Sequence, residues 1–340
     1  MPDLVRIKTP QENYIIDYKQ AVDAAQKQLS ILWFADELGV DKDESDIRTK
    51  CTSGERYGIT YLLKIFNKYE LMLGGDEFWG GKIQRMFPRE DIGQMCVVYA
   101  MVERAVHAPF YDLINKTLNI ATEEFYNEWK EDPILSERIA FISKYAALEG
   151  YGYNDLLSLA AFAFMEGAVL FSAFSYLKSF NVGGFNMMAH VTSGIDASAK
   201  DENFHSMSAA WLFNQYLSEL IEAKQITQEE IDKLYTEINV IAQVVYEHEE
   251  AINKEIFSKG GNRTANYEDQ MHFVRNRIDD VLAYVKAPAL FGDVPGKVAQ
   301  WFYGALSTFK YADFFSNSQV QYVRNWNKGK LTFRKELVAH

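Results

Sequence analysis

The stretch that decides the fold is LLSLAAFAFMEGAVLFSAFSYL, residues 156–177, in which one carboxylate, Glu166, stands among apolar side chains. These 22 residues are long enough to cross a bilayer. A charge at the centre of a membrane, however, costs at least about 2.5 kcal/mol. We therefore predict a helix that is buried on all sides inside a protein, not a membrane span. A buried carboxylate needs a partner, and a metal ion is the commonest one.

Helical periodicity continues on both sides of this stretch. We predict one or two helices over residues 11–39, and further helices over residues 52–74, 89–118, 153–180, 196–223, 227–257 and 267–285, with another beginning at Asp132-Pro133. Strand signals are weak, and no repeat or linker divides the chain. The sequence thus predicts an all-α fold, with a single domain over residues 1–330 and a short C-terminal tail over residues 331–340.

Composition narrows the class of protein. Hydrophobic residues make up 48% of the 340 residues, including 23 Phe and 20 Tyr, which is enough for a large core. The net charge of −12 argues against a nucleic-acid partner. Cys51 and Cys96 are the only cysteines, which excludes a disulfide scaffold and a thiolate metal site. A cytoplasmic protein is the natural interpretation.

Carboxylates and imidazoles recur at helical spacing on four of the predicted helices. Two helices carry a Glu-His pair on one face, at a spacing of three or four residues, and two helices carry a lone glutamate in apolar surroundings. In chain order these residues are Glu70, Glu103 with His107, Glu166, and Glu202 with His205.

A four-helix bundle builds a dimetal carboxylate site from these parts, with a glutamate from each of two helices and a Glu-His pair from each of the other two. We therefore predict that the six residues bind two metal ions. Fe/Fe, Mn/Mn and Mn/Fe pairs use the same ligands, so the sequence leaves the metals open. Glu70 is the weakest assignment, and Asp76 and Glu77 are the alternatives for the first ligand.

One further acidic run invites a different interpretation. Glu247-His248-Glu249-Glu250 contains metal-binding residue types, but Lys254 and Glu255 follow it. We predict an exposed helix face here.

Several motifs resemble the radical-generating small (beta) subunit of class I ribonucleotide reductase, a ferritin-like dimetal-carboxylate family. Asp201-Glu202-Asn-Phe-His205 is similar to the family's Asp-Glu-x-x-His motif. Trp33 resembles the tryptophan of the family's N-terminal segment, and Tyr111, four residues after His107, stands where relatives carry a radical tyrosine. The similarity spans about residues 30–326.

The resemblance implies a fold, an activity and partners. It implies a ferritin-like bundle whose dimetal centre supplies a one-electron oxidant, stored on Tyr111 or on the metals. The oxidant would pass through His107, Asp201 and Trp33 to a separate catalytic (alpha) subunit, which makes deoxyribonucleotides and binds the nucleotides. It also implies a homodimer, with no nucleic acid and no membrane among its partners.

Three departures from the family pattern leave alternatives open. The position three before His107 is Arg104, so Glu103 reaches the site only if the helix bulges, for which Pro109 offers a reason. Counting from Glu103 instead would place Phe110 at the tyrosine position. The last tyrosine is Tyr322, so no tyrosine near the C-terminus is present to relay the radical.

Two other functions use similar parts. A dimetal oxidase or fatty-acyl desaturase shares the ligand order but needs no relay through Trp33 and Asp201. A ferritin-like iron-oxidising protein is about half this length. Both rank below the radical-generating subunit.

Overall fold

A buried bundle of helices forms the core of the computed structural model, which describes residues 4–11 and 13–306. These residues contain no strand. The α-helices are α1 Lys19–Ser30, α2 Ser53–Leu73, α3 Lys82–Met86, α4 Glu90–Val102, α5 Ala108–Thr117, α6 Glu123–Asn127, α7 Pro133–Ala146, α8 Tyr153–Phe164, α9 Phe171–Lys178, α10 Ala189–Glu222, α11 Gln228–Ile256, α12 Tyr267–Tyr284 and α13 Lys297–Leu306. The all-α prediction is confirmed. The tail predicted over residues 331–340 and Tyr322 lie outside the described residues.

Short turns of other helix types connect or interrupt these helices. Single 3₁₀ turns occupy Arg6–Lys8, Ala35–Glu37, Val40–Asp43, Glu128–Lys130 and Ser179–Asn181. Turns of π-helix occupy Asp46–Lys50, Glu103–His107 and Met165–Val169. Because a π-turn fits one extra residue into a helix, α4 continues into α5 through Glu103–His107, and α8 continues towards α9 through Met165–Val169.

The apolar stretch around Glu166 lies at the centre of the molecule. The segment Tyr153–Asn181 is long and apolar enough to cross a membrane, but the apolar window within it is fully buried by the rest of the chain. Helix α10 packs along α8 and α9, while α11 and α12 cover other sides. The segment is therefore a core helix, as predicted, because its apolar surface faces protein in every direction.

The N-terminal region differs most from the sequence prediction. Only Lys19–Ser30 is α-helical within the predicted 11–39 stretch. The buried carboxylate of Asp91 accepts hydrogen bonds from the backbone N–H groups of Asp17 and Tyr18, both at 2.9 Å, and so fixes the chain before α1. After Ser30 the chain leaves the helix, which brings Trp33 to α10. Tertiary hydrogen bonds have overridden helical propensity here.

Candidate metal centre

Four glutamates and two histidines meet in the interior, where each is at most 1% exposed. One group consists of Glu70, Glu103, His107 and Glu202, and the other of Glu103, Glu166, Glu202 and His205. Within each group, one ligand atom from every residue lies within 4.8 Å of the others. Since Glu103 and Glu202 belong to both groups, the arrangement has the form of two adjacent ion positions with two shared carboxylates.

The first π-turn decides which side chain enters this cluster. The N–H of Ala108 donates to the carbonyl of Glu103, five residues earlier, which widens the helix by one residue. As a result Glu103 and His107 both point inward, and Arg104 is exposed. Pro109 follows directly and has no N–H to restore the α-helical pattern. The structure therefore places Glu103, and not Arg104, in the site.

The second π-turn carries Glu166, and side chains from four other helices donate to the buried carbonyl groups in this turn and just before it. Each of the hydrogen bonds comes from a buried donor, since free carbonyls in a dry interior are costly. The donors and their acceptors are Ser206 Oγ to Ala163 (2.8 Å), Tyr69 Oη to Met165 (2.6 Å), Arg277 Nε to Gly167 (2.9 Å) and Arg138 to Val169 (3.1 Å). The position of Glu166 is thus set by the surrounding bundle as well as by its own helix.

The polar atoms of the cluster fit a pair of divalent ions. Both carboxylate oxygens of Glu70 and of Glu202, and both ring nitrogens of His205, are buried without a hydrogen-bond partner. His205 Nδ1 lies 2.6 Å from Glu103 Oε1, yet the angles do not allow a hydrogen bond. Their lone pairs therefore converge on common points, as metal ligands do. Four carboxylates with one imidazole for each position suit iron or manganese.

The charges inside the cluster strongly affect one another. Burial raises the pKa of Glu70 and of Glu166 well above the ordinary value, and the neighbouring Glu202 carboxylate raises both further. Burial also acts to raise the pKa of Glu103, but the two imidazoles outweigh it and hold that pKa below the usual range. Burial would lower the pKa of His205, but the carboxylate of Glu103 raises it to about 9. Metal binding must therefore displace protons from these groups.

A chain of hydrogen bonds leads from the cluster towards the surface. The carboxylate of Asp201 accepts from the half-buried indole Nε1 of Trp33 at 2.9 Å, and the same oxygen lies 3.2 Å from Nε2 of His107. Its other oxygen accepts from Gln28 Nε2 at 2.8 Å. The rings of Trp33 and His107 stack with centroids 5.8 Å apart. Asp201 thereby orients the histidine, and sequence reasoning did not identify Gln28 as its third partner.

Tyr111 lies in the same interior region and is fully buried. Its ring stacks on Phe66 at 4.2 Å and contacts Phe110 at 5.0 Å. Burial, followed by the charge of Glu70, raises the pKa of the phenol well above its ordinary value. Ser198 lies close enough to lower that pKa slightly, but the Tyr111 hydroxyl makes no hydrogen bond of normal geometry. The neighbouring Phe110 instead packs edge-on against Trp33 at 5.5 Å.

Trp79 is a neighbour of the cluster that sequence reasoning missed. Its buried indole Nε1 donates to Glu166 Oε1 at 2.6 Å. It follows the turn that begins at Gly74, and a Cβ at Gly74 would lie only 2.6 Å from the Cβ of Glu103. Gly74, the first of the glycines that are conspicuous in this part of the sequence, therefore allows close packing against the site. The alternative ligand Asp76 is exposed and pairs with Arg85, so it does not join the cluster.

The prediction of an exposed face for the acidic run of α11 is wrong for Glu249 and for His248, whose side chain is only 12% exposed. Glu247 is exposed as predicted, but Glu249 is fully buried and forms an ion pair with Arg138. The hydroxyl of Ser172 also donates to Glu249. Glu249 lies in the apolar stripe of α11, between Val245 and Ile252, so helical periodicity does indicate its burial. Its partner Arg138 is more than 100 residues away and leaves no local signal.

Comparison with known proteins agrees with this geometry. The family model described as "Ribonucleotide reductase, small chain" matches residues 12–297. Among solved structures, the chain is similar to dimanganese(II) NrdF from Streptococcus sanguinis, with a TM-score of 0.72 and 17% identity over 86% of this chain and 99% of that one. It is also similar to the ribonucleotide reductase R2 subunit from Clostridium botulinum, with a TM-score of 0.69 and 20% identity over 85% of this chain and 88% of that one.

Proposed function

The chain belongs to the ribonucleotide reductase small-chain family, and we propose that it generates and delivers the radical for a separate catalytic subunit. The observation that carries this proposal is the continuous path from the buried cluster to a half-buried indole. His107, Asp201 and Trp33 form that path through contacts of 3.2 and 2.9 Å. A dimetal oxidase that acts on its own substrate needs no such path.

The six clustered residues would hold the dimetal centre. Two bound ions, in an Fe/Fe, Mn/Mn or Mn/Fe pair, supply one-electron oxidising chemistry after reaction with an oxidant. The shared carboxylates are Glu103 and Glu202. His107 Nδ1 faces the cluster at 3.1 Å from Glu202 Oε1 and 3.2 Å from Glu103 Oε2, which leaves Nε2 for Asp201.

The protein's own residues store and conduct the oxidising equivalent. Tyr111 is the storage site, because tyrosine is reversibly oxidisable and its fully buried ring is flanked by phenylalanines that keep water away. The Asp201 carboxylate contacts both Trp33 and His107, so it fixes the two rings relative to each other and stabilises positive charge on either of them. Trp33 is the exit, since it is the member of the path that reaches the surface region.

These roles imply two protein partners for this chain, a catalytic subunit and a second copy of itself. The catalytic subunit binds and reduces the ribonucleotide, while this chain acts as a homodimer in the cytoplasm. Exposed Leu29 of α1 and Val97 of α4, at 46% and 58% exposure, support the dimer. They line one groove with Pro88, beside polar residues such as Gln26 and Gln94, and a second copy would cover these exposed apolar side chains.

The test combines metal analysis with turnover. We expect two Mn(II) or iron ions per chain, and deoxyribonucleotide formation only when the activated chain and a class I catalytic subunit are both present. Glu202→Ala should lose metal from both positions, because Glu202 belongs to both groups, whereas the matched Glu250→Ala on α11 should bind two ions. Loading far above two ions per chain, or no product with an active catalytic subunit, would contradict the proposal.

A further inference from the structure

Arg277 of α12 is a buried cation beside the turn that carries Glu166. The side chain is 1% exposed, and its guanidinium lies 3.9 Å above the ring centre of Phe171. Nε and a terminal nitrogen both donate to the carbonyl of Gly167, at 2.9 and 2.5 Å. Two N–H donors on one carbonyl oxygen hold it strongly and in a fixed direction. We call this contact the two-donor grip; the planar guanidinium can provide it and an ammonium group cannot.

The same guanidinium also reaches α10. The terminal nitrogen that bonds to Gly167 donates to Asn203 Oδ1 at 3.1 Å, and the other terminal nitrogen donates to the hydroxyl of Tyr303 at 2.9 Å. Gly167 directly follows Glu166, and Asn203 directly follows Glu202. One side chain therefore connects the backbone next to one proposed ligand with the side chain next to another.

The two connected glutamates occur together in only one half of the cluster. Glu166 and Glu202 share the group that contains His205, while the group that contains His107 lacks Glu166. Helix α10 is a regular helix of 34 residues with many other contacts, so Glu202 keeps its position without Arg277. The π-turn at Glu166 has lost regular helical hydrogen bonds and depends more on donors from outside.

We propose that Arg277 is a positioning residue that fixes Glu166 relative to Glu202 and thereby sets the affinity of the His205-side metal position. The inference rests on the proposed dimetal function. It predicts that the metal affinity of the His205-side position depends on Arg277 and that the affinity of the His107-side position does not. Arg277 itself would contact neither ion. Removing the grip on Gly167 takes away the donors next to Glu166 and leaves the turn held only by its other donors and by Trp79. The Glu166 carboxylate is then held less firmly relative to Glu202, while the His107-side group keeps all four members.

The experiment titrates apo protein with Mn(II) and follows free Mn(II) by electron paramagnetic resonance. Arg277→Lys keeps the charge but loses the two-donor grip, and we expect one of the two ions to bind about 10- to 100-fold more weakly, with the other unchanged. The matched control is Arg275→Lys on the same helix, whose partner Asp293 is near the surface, and which should bind both ions as the wild type does. In the apo variant, amide hydrogen exchange should also accelerate at residues 165–169.

Several outcomes separate the alternatives. Two unchanged affinities in Arg277→Lys would overturn the inference, and so would equal weakening of both positions with a lower melting temperature, which indicates a merely structural role. Should Arg277→Lys not fold, Arg277→Gln, which is uncharged and has a single donor nitrogen in place of three, provides the same comparison. Wild-type protein that binds no Mn(II) would instead contradict the proposed function.

Discussion

Replacement of Tyr111 by phenylalanine separates a radical store from an ordinary core tyrosine. A buried tyrosine whose hydroxyl is hydrogen-bonded loses about 1 kcal/mol when the hydroxyl is removed. The Tyr111 hydroxyl is buried and makes no hydrogen bond, so the variant should lose no stability. We expect the free energy of unfolding to stay the same or rise by up to about 1 kcal/mol, because an unsatisfied hydroxyl is removed from the core.

Tyr99 offers a matched control within the same core. It is also fully buried, and its ring lies 4.1 Å from that of His205. Its hydroxyl, however, hydrogen-bonds Ser208 Oγ at 2.8 Å, and Ser208 in turn donates to the carbonyl of Phe204. Tyr99→Phe should therefore lose about 1 kcal/mol in urea unfolding. It should retain the radical, which Tyr111→Phe should not.

The assay measures three quantities on each variant: urea unfolding, metal content, and the tyrosyl signal in electron paramagnetic resonance together with deoxyribonucleotide formation. Tyr111→Phe should keep two ions and lose both the signal and turnover. Full turnover in Tyr111→Phe would refute the storage role and place the oxidant on the metals. A loss of about 1 kcal/mol or more, as expected for Tyr99→Phe, would refute the claim that the Tyr111 hydroxyl lacks a partner.

Three further perturbations test other parts of the site. Trp33→Phe removes the donor to Asp201 and the exit of the path. The stored radical should therefore persist, while turnover falls by at least about 10-fold. Unchanged turnover would exclude Trp33 from the path. Gly167→Ala places a Cβ 2.2 Å from Ser206 Oγ, so calorimetry should show a lower melting temperature and metal analysis less than two ions per chain. The affinity for Mn(II) should rise between about pH 6 and pH 8. The reason is that His205, with its pKa raised to about 9, must release a proton before it can bind the ion. An Mn(II) affinity that does not change with pH would contradict the protonation of His205 described above.

The sequence carried enough information to predict the composition of the cluster, because two lone glutamates in apolar surroundings alternate along the chain with two Glu-His pairs at helical spacing. It did not decide between Glu103 and Arg104. The deciding feature is a change of helix type over five residues, and periodicity alone cannot distinguish a π-turn from an α-turn. The bulge suggested by Pro109 is present in the structure.

Contacts between distant segments were the least predictable part. Trp79 and Gln28 reach the site through tertiary packing. The residues that they contact are far away in the sequence, so no helical spacing connects them. The ion-pair partner of Glu249 was unpredictable for the same reason, although the apolar stripe of α11 indicates that Glu249 itself is buried. The helix predicted across residues 11–39 shortened to Lys19–Ser30, since the carboxylate of Asp91 competes for the backbone before it. A local sequence pattern predicts which face of a helix is apolar. It does not predict which polar group of a distant segment will contact that face.

The π-turn at Glu103–His107 has a consequence for how such chains diverge. Inserting one residue into an α-helix ordinarily rotates everything beyond it by about 100°, which would turn a ligand away from its metal. A π-turn absorbs the insertion locally, so Glu-x-x-His and Glu-x-x-x-His can present the same two side chains. An insertion of this kind can therefore pass through evolution without loss of the cofactor. A search that demands a fixed spacing would miss such descendants, whereas one that allows a spacing of three or four would find them.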